Sequence, residues 1–263
     1  MNSKRLISTS MQITLDIKKV AQYKSNSQKI RVMTETWVGE ESFCPACGSN
    51  INQYENNRKV ADFYCPGCKE EYELKSQKEK TGNRIADGAY NTMLERLKGE
   101  NNPNFFFLNY GLIKYEVINF AVIPKHFFIP DIIVKRNQGL KDRPNYIMCS
   151  IDLKQIPESG KIFYIKNQEH QSRQRVLDNW QKTLFLREEK EQSAKGWILD
   201  VMNCVDKLGK KEFKLDEIYA FEEVLRKKHP NNQHVKDKIR QQMQFLRDKG
   251  YLSFVQKGKY KLS

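Results

Sequence analysis

The chain has 263 residues, of which 39% are hydrophobic, 11% aromatic and 30% charged; that composition excludes a disordered polymer and supports a soluble, folded protein. No apolar run reaches the roughly 18 residues of a membrane span, and the basic start MNSKRLISTSMQITLDI lacks an apolar core of signal-peptide length, so a cytoplasmic protein without membrane contact is expected. Lys and Arg outnumber Asp and Glu by 46 to 32, a net +14, which attracts polyanions without by itself identifying one.

In chain order, Ile30, Met33, Trp37 and Val38 fall at helical spacing and predict a helix over 24–40. A cysteine region follows, in which VADFYC and YELKS read as strands. Tyr90, Met93, Leu94 and Leu97 predict a helix from Asp87 to Gly99. The β-type runs NFFFLNY, KYEVINFAVIP, IIVKR, YIMCSIDL and KIFYIKN come next, and a helix from Ser172 to Arg187 closes this part. The order suits an α/β sheet with helical cover. The charged stretch REEKEQSAK (187–195) reads as a linker between a domain at 1–190 and another at 195–263. Beyond it, Trp197 to Leu208, Leu215 to Leu225 and Val235 to Leu246 predict three helices, the last stopped at Gly250. The segments YLSFV and KYKL around QKG form a basic hairpin, so the expectation is a winged helix-turn-helix. This portion carries 16 Lys/Arg and 9 Asp/Glu, half of the whole excess of positive charge.

Four of the six cysteines form two pairs, Cys44-x-x-Cys47 and Cys65-x-x-Cys68, with 17 residues between them. Without an export signal, that spacing reads as a tetrahedral thiolate zinc site. Four protein ligands leave no open position, so the zinc is structural. Cys149 and Cys204, alone in apolar runs, read as core packing.

Asp62 lies three residues before Cys65, and Glu73-Leu74-Lys75 begins five residues after Cys68, giving D-x10-E-x-K. On a strand, residues i and i+2 share a face, so Glu73 and Lys75 project together and Leu74 points into the core. A hairpin closed by the zinc turn brings Asp62 to them. Asp62 and Glu73 then suit Mg²⁺, a hard cation preferring oxygen, and Lys75 can orient water or stabilise developing charge. Glu71 shares this face, although a solvated strand-end charge is its plainer reading. Glu35, on the first helix, is within water-mediated reach of the metal, and its plainer reading is an exposed helical residue.

The blocks YKSNSQKIRVMTETWV, CPACG, YENNRKVADFYCPGCKEEYELKSQK, DGAYNTM, NNPNFFFL, IDLKQIP and LFLR, followed by GWILDVMNCVDK, FEEVL and KDKIRQQMQFLRDK, span nearly the whole chain. Together they resemble the DpnI-like family of methyl-directed (type IIM) restriction endonucleases. The resemblance implies a PD-(D/E)xK nuclease domain, a mixed sheet with flanking helices and a zinc-binding element, followed by a winged helix. It implies a type II site-specific deoxyribonuclease that cuts double-stranded DNA at G-A-T-C when the adenine is N6-methylated. Carried over, Asp62, Glu73 and Lys75 are catalytic, and Cys44, Cys47, Cys65 and Cys68 bind zinc. This chain departs from the pattern in having Ala61 before Asp62 where the strict motif has proline, and Tyr146 where the family has a tryptophan near the DNA.

In the winged helix, the third helix is expected in the major groove. With Val235, Ile239, Met243 and Leu246 inward, the opposite face carries Gln233, Asp237, Arg240, Gln241 and Gln244, suited to adenine and guanine edges. Lys236 and Lys238 suit phosphates, and Lys257 and Lys259 tip the wing. His229 and His234 are assigned to no metal. One buried methyl group is worth only about 1 kcal/mol, so two methyl-reading parts, Tyr146 and the winged helix, multiply a weak preference. A monomer is expected. Two other readings fit the composition: a zinc-containing winged-helix regulator, with Asp62, Glu73 and Lys75 as surface charges, and a nuclease indifferent to methylation.

Overall fold

The structure, a computed structural model, describes residues 11–55, 61–79, 82–99 and 102–263. The first ten residues, which hold the basic start, and Val60 of the VADFYC strand lie outside them. In chain order the elements are α1 (Asn26–Glu41), β1 (Asn52–Gln53), β2 (Phe63–Tyr64), β3 (Glu71–Lys78), β4 (Arg84–Ala89), α2 (Tyr90–Lys98), β5 (Asn104–Tyr110) and β6 (Val117–Ile123). They continue with β7 (Ile133–Lys135), β8 (Met148–Asp152), β9 (Ile162–Lys166), β10 (Glu169–His170) and α3 (Arg173–Gln181). The C-terminal part holds α4 (Gln192–Leu208), β11 (Glu212–Lys214), α5 (Leu215–Tyr219), α6 (Glu222–Lys228), α7 (Val235–Asp248), β12 (Leu252–Gln256) and β13 (Lys259–Leu262). No helix among the described residues is long and apolar enough to cross a membrane.

The chain forms two compact units, the first from residues 1–82, 101–125 and 162–181, the second from 83–100, 126–161 and 182–263. The first unit is a seven-stranded sheet in the order β1-β2-β3-β5-β6-β9-β10. Its central strand β5, NFFFLNY, is buried at every position, as a continuous apolar run between two paired neighbours must be. All pairs are antiparallel except β3 with β5, where Glu73 faces Phe105 and Lys75 faces Phe107. A parallel pair needs a long crossover, and β4 and α2 supply it in the chain. One face of the sheet carries an aromatic core: Phe106 stacks on Tyr72 at 4.6 Å and meets Phe120 at 5.1 Å. Trp37 of α1 closes over Phe120 at 5.2 Å, which is why Met33, Trp37 and Val38 are the buried stripe of that helix.

The second unit contains the sheet β4-β8-β7 and the sheet β11-β13-β12. Trp197, Ile198, Val201, Met202 and Val205 are buried on α4, which stops at Gly209 in a left-handed conformation, φ 63°. Val235, Ile239, Met243 and Leu246 are buried on α7 as their period requires. The expected winged-helix set of helices and hairpin forms, within a mixed α/β chain. It is anchored inside its unit: Asn203 Nδ2 donates to the Gln155 carbonyl at 2.7 Å, and the Glu158 amide donates to Asp206 at 2.8 Å.

Four local expectations change. Residues 87–89 belong to β4, not to the helix, because Ala86 and Asp87 pair with Ser150 and Cys149 of β8; α2 starts at Tyr90. The helix after Ser172 ends at Gln181 and resumes as a 3-10 turn, Leu184–Arg187. The second C-terminal helix is divided between α5 and α6. Leu74 is half-buried, whereas Tyr72 takes the core position.

Gly160, within the second unit, leaves no room for a side chain: a Cβ there would meet Phe127 Cδ1 at 2.7 Å and Ile156 Cγ2 at 2.9 Å. Both neighbours are buried. Gly160→Ala is therefore expected to destabilise the fold by about 1–3 kcal/mol, read as a lower denaturation midpoint with an unchanged m-value. An unshifted midpoint would show that this contact is loose.

Candidate active site

The two cysteine turns are built alike. Cys44 accepts at its carbonyl from Gly48 N (2.8 Å), and Cys65 from Lys69 N (3.0 Å). Each turn is closed by a residue at positive φ, Gly48 at 80° and Lys69 at 64°. The four thiols of Cys44, Cys47, Cys65 and Cys68 lie within 4.8 Å of one another, and this is the one such group among the described residues. The donor set is four soft sulfurs with no vacant position, which fits a closed zinc site. Cys149 and Cys204 are buried elsewhere, as expected.

The cysteine cluster is joined directly to β3. The Tyr72 ring is fully buried in the aromatic core, and its hydroxyl lies 3.0 Å from Cys44 Sγ. The next residue is Glu73. The β2–β3 register sets Phe63 opposite Tyr72, and Asp62, just ahead of β2, takes its backbone bond from this strand: its N–H donates to the Tyr72 carbonyl at 2.9 Å. The Asp62 carboxylate then accepts from Leu74 N at 2.7 Å. Asp62 is thus held at the peptide that joins Glu73 to Leu74. Lys75 Nζ is 2.6 Å from Glu73 Oε1 and lies 5.8 Å from the centroid of the Phe105 ring. The three residues of D-x10-E-x-K are brought together, Asp62 at the entry to β2 and Glu73 and Lys75 on β3, beside the buried Phe105 and Phe107.

Burial, the largest cause, raises the Asp62 pKa above its ordinary value, and the charges of Glu35 and Glu73 push it further up. The Leu74 amide and the charge of Arg31 oppose them. Carboxylates crowded in this way, all presenting hard oxygens, fit a divalent cation of the Mg²⁺ type held by Asp62 and Glu73.

The burial of Glu35 and the presence of Gln53 were not legible, although the sequence places Glu35 itself within water-mediated reach of the metal. Glu35 is 6% exposed, not the exposed helical residue of its plainer reading. It accepts from Arg31 Nε at 2.6 Å and from Gln53 Nε2 on β1 at 3.2 Å. Gln53 gives no sequence signal, because its link to Glu35 is made only when β1 pairs with β2. Glu71, the competing carboxylate, accepts from the Tyr54 hydroxyl at 2.6 Å.

In the second unit, Asp237, Arg240, Gln241 and Gln244 are exposed on α7, as their period predicts, and Gln242 is buried. Gln233 is exposed but precedes the helix, which starts at Val235. Lys236 pairs with Glu222 at 3.4 Å, and half-buried Lys238 bonds to Gln241 at 2.9 Å. Lys257 is exposed at the wing turn, beside Gly258 at φ 72°. Lys259 is half-buried and paired with Glu212 at 2.8 Å. Phe254 and Val255 of the wing are exposed. His229 stacks on Trp197 at 3.9 Å and meets Asp200 at 2.8 Å, so it belongs to a packed cluster. Tyr146 stands 38% exposed just ahead of β8, its hydroxyl over Gly88.

Metal analysis of protein purified without added zinc is expected to give about one zinc per chain, and Cys65→Ser is expected to lower the folded yield; a folded, active, zinc-free chain would contradict the staple. Glu35→Gln keeps the shape and removes the charge beside Asp62. It is expected to cost about 10–100-fold in cation affinity or rate, the range for residues that orient ligands, read as a rise in the Mg²⁺ concentration that half-saturates any strand cleavage. An unaltered Mg²⁺ dependence would leave Glu35 a structural residue only.

Residues 11–189 match the model of the DpnI family, described as the Dam-replacing family, and residues 193–262 match the Dam-replacing HTH domain. The chain belongs to the Dam-replacing family.

Proposed function

We propose that this protein is a Mg²⁺-dependent type II restriction endonuclease that hydrolyses double-stranded DNA at G-A-T-C sites carrying N6-methyladenine. Membership of the family supports a methyl-dependent restriction endonuclease. The observation that carries the reading is the meeting of Asp62, Glu73 and Lys75 on two strands clasped by the cysteine turns. The labour divides between a catalytic portion, 1–190, and a DNA-binding portion, 195–263.

Asp62 and Glu73 would hold the cation, which when bound polarises the scissile phosphate and acidifies a water molecule. Asp62 is oriented for that task by the Leu74 amide, and Glu35 adds negative charge from α1. Lys75 sits against Glu73 with the Phe105 ring beneath it. Its ammonium offers donors to the attacking water and to the charge that develops on phosphate. Apolar walls strengthen such interactions relative to bulk water. In the C-terminal portion, Arg240, Gln241 and Gln244 face base edges in the major groove, with Gln233 at the entrance to α7. Lys236, Lys238, Lys257 and Lys259 serve phosphates; those already paired on the surface exchange weak partners for DNA, since exposed ion pairs are worth about 0–1 kcal/mol. Tyr146 offers an aromatic face to the N6-methyl group.

The test is digestion of one plasmid prepared from adenine-methylating and non-methylating hosts, in Mg²⁺. Cleavage of the methylated form in preference, by about tenfold or more if two readers each contribute about 1 kcal/mol, is the expected result. Equal digestion of both would remove the methyl-directed part. Binding without nicking in either form would favour a DNA-binding regulator.

A further inference from the structure

Exposed cations of the second unit are of two kinds, with and without an acidic partner; Arg240 and Lys257 have none among the described residues. Several of its cations have acidic partners: Lys210 with Glu217, Arg226 with Glu222, Lys228 with Asp200, Lys249 with Glu188 and Lys259 with Glu212. The loop 136–146 between β7 and β8 differs. It carries Arg136, Lys141 and Arg143 against Asp142 alone. All three cations are exposed, and none forms an ion pair among the described residues.

This loop is nonetheless built to a fixed shape. The Leu140 amide donates to the Tyr146 carbonyl (3.3 Å), the Arg143 amide to Leu140 (3.0 Å), and the Tyr146 amide to Arg143 (2.9 Å). The Arg136 amide ties its start to Met148 at 3.0 Å. Gly139 makes this closure possible: a Cβ at that position would run into the Pro144 carbonyl. A floppy loop would lose much of its attraction to the entropy of ordering its backbone on binding. A backbone-locked loop with unpaired cations holds its charge ready for a polyanion.

We propose that loop 136–146 is a phosphate-holding surface for duplex DNA, in which Lys141 and Arg143 contact backbone phosphates and Gly139 is the positioning residue that fixes them. The inference rests on the endonuclease reading and adds to it a methylation-independent contact outside the winged helix. Phosphate contacts position a protein on DNA without reading sequence, so the loop sets the register at which Tyr146, at its end, meets the base.

The experiment uses the full chain in EDTA, with fluorescent duplexes carrying G-A-T-C in methylated and unmethylated form, titrated at several salt concentrations. Removal of one cation from a phosphate is expected to lower the slope of log affinity against log salt by about 0.9. Lys141→Ala and Arg143→Ala each reduce the slope by about that much and weaken both duplexes alike, and the double variant shows about twice the reduction. Gly139→Ala reproduces the weakening while retaining every charge. If it fails to fold, the two cation variants decide, because they alter only exposed side chains. An unchanged slope in the double variant, while the wild type binds in EDTA and cleaves once Mg²⁺ is supplied in excess, overturns the loop proposal alone. A weakening confined to the methylated duplex also overturns it, placing these residues in methyl recognition. A wild type with no salt-dependent DNA binding overturns the endonuclease reading itself.

Discussion

Asp62 lies ahead of one cysteine pair and Glu73 follows it, and the Tyr72 hydroxyl rests on Cys44 Sγ at 3.0 Å. The cysteine cluster and β3 are therefore one mechanical piece. Without the turn that Cys65 and Cys68 close, β2 would be a two-residue strand at the sheet margin, too short to hold a register by itself. With it, the β2–β3 pairing is set, the Asp62 amide finds the Tyr72 carbonyl, and the Asp62 carboxylate caps Leu74 N. Everything proposed for the site depends on that clasp.

The clasp also explains how the protein tolerates crowded acidic groups. Like charges held close together and partly out of water repel one another. Asp62 feels both Glu35 and Glu73 in that sense and is partly buried as well. Such an arrangement persists only where the surrounding fold dictates it, and here the core of Tyr72, Phe106 and Phe120 does so. Arg31 and Gln53 contact the Glu35 carboxylate, and Lys75 contacts that of Glu73.

Much of this was legible in the residues. The paired cysteines, the i, i+2 relation of Glu73 and Lys75, and the periodic stripes of α4 and α7 are short-range patterns, and each emerges in the fold. What sequence could not supply is long-range. Glu35 could be marked as within reach of the site but not as buried, because its partner Gln53 stands on a two-residue strand that pairs only through β2. β4 was hidden because Asp87–Ala89 continues into an amphipathic helix, and only the pairing with β8 reveals the strand. Gln233 fell on the expected helical period but precedes the first helical residue, since periodicity marks a face better than a boundary. The compact units are likewise not contiguous in sequence: 83–100 and 126–161 join the C-terminal residues, which a charge-rich linker at 187–195 cannot disclose.

The central claim is that one acid–acid–lysine site, held by the cysteine clasp, hydrolyses DNA, and it is tested most directly by single-turnover cleavage with Glu73→Gln. This variant keeps the shape of β3 and removes one charge from the site, and duplex binding is recorded on the same preparation. A fall in the cleavage rate of at least about 10²-fold is expected, the usual cost of losing a group that stabilises the transition state, with binding equal to or tighter than that of the unaltered chain. Cleavage at the original rate, or loss of binding and cleavage together, would contradict the claim.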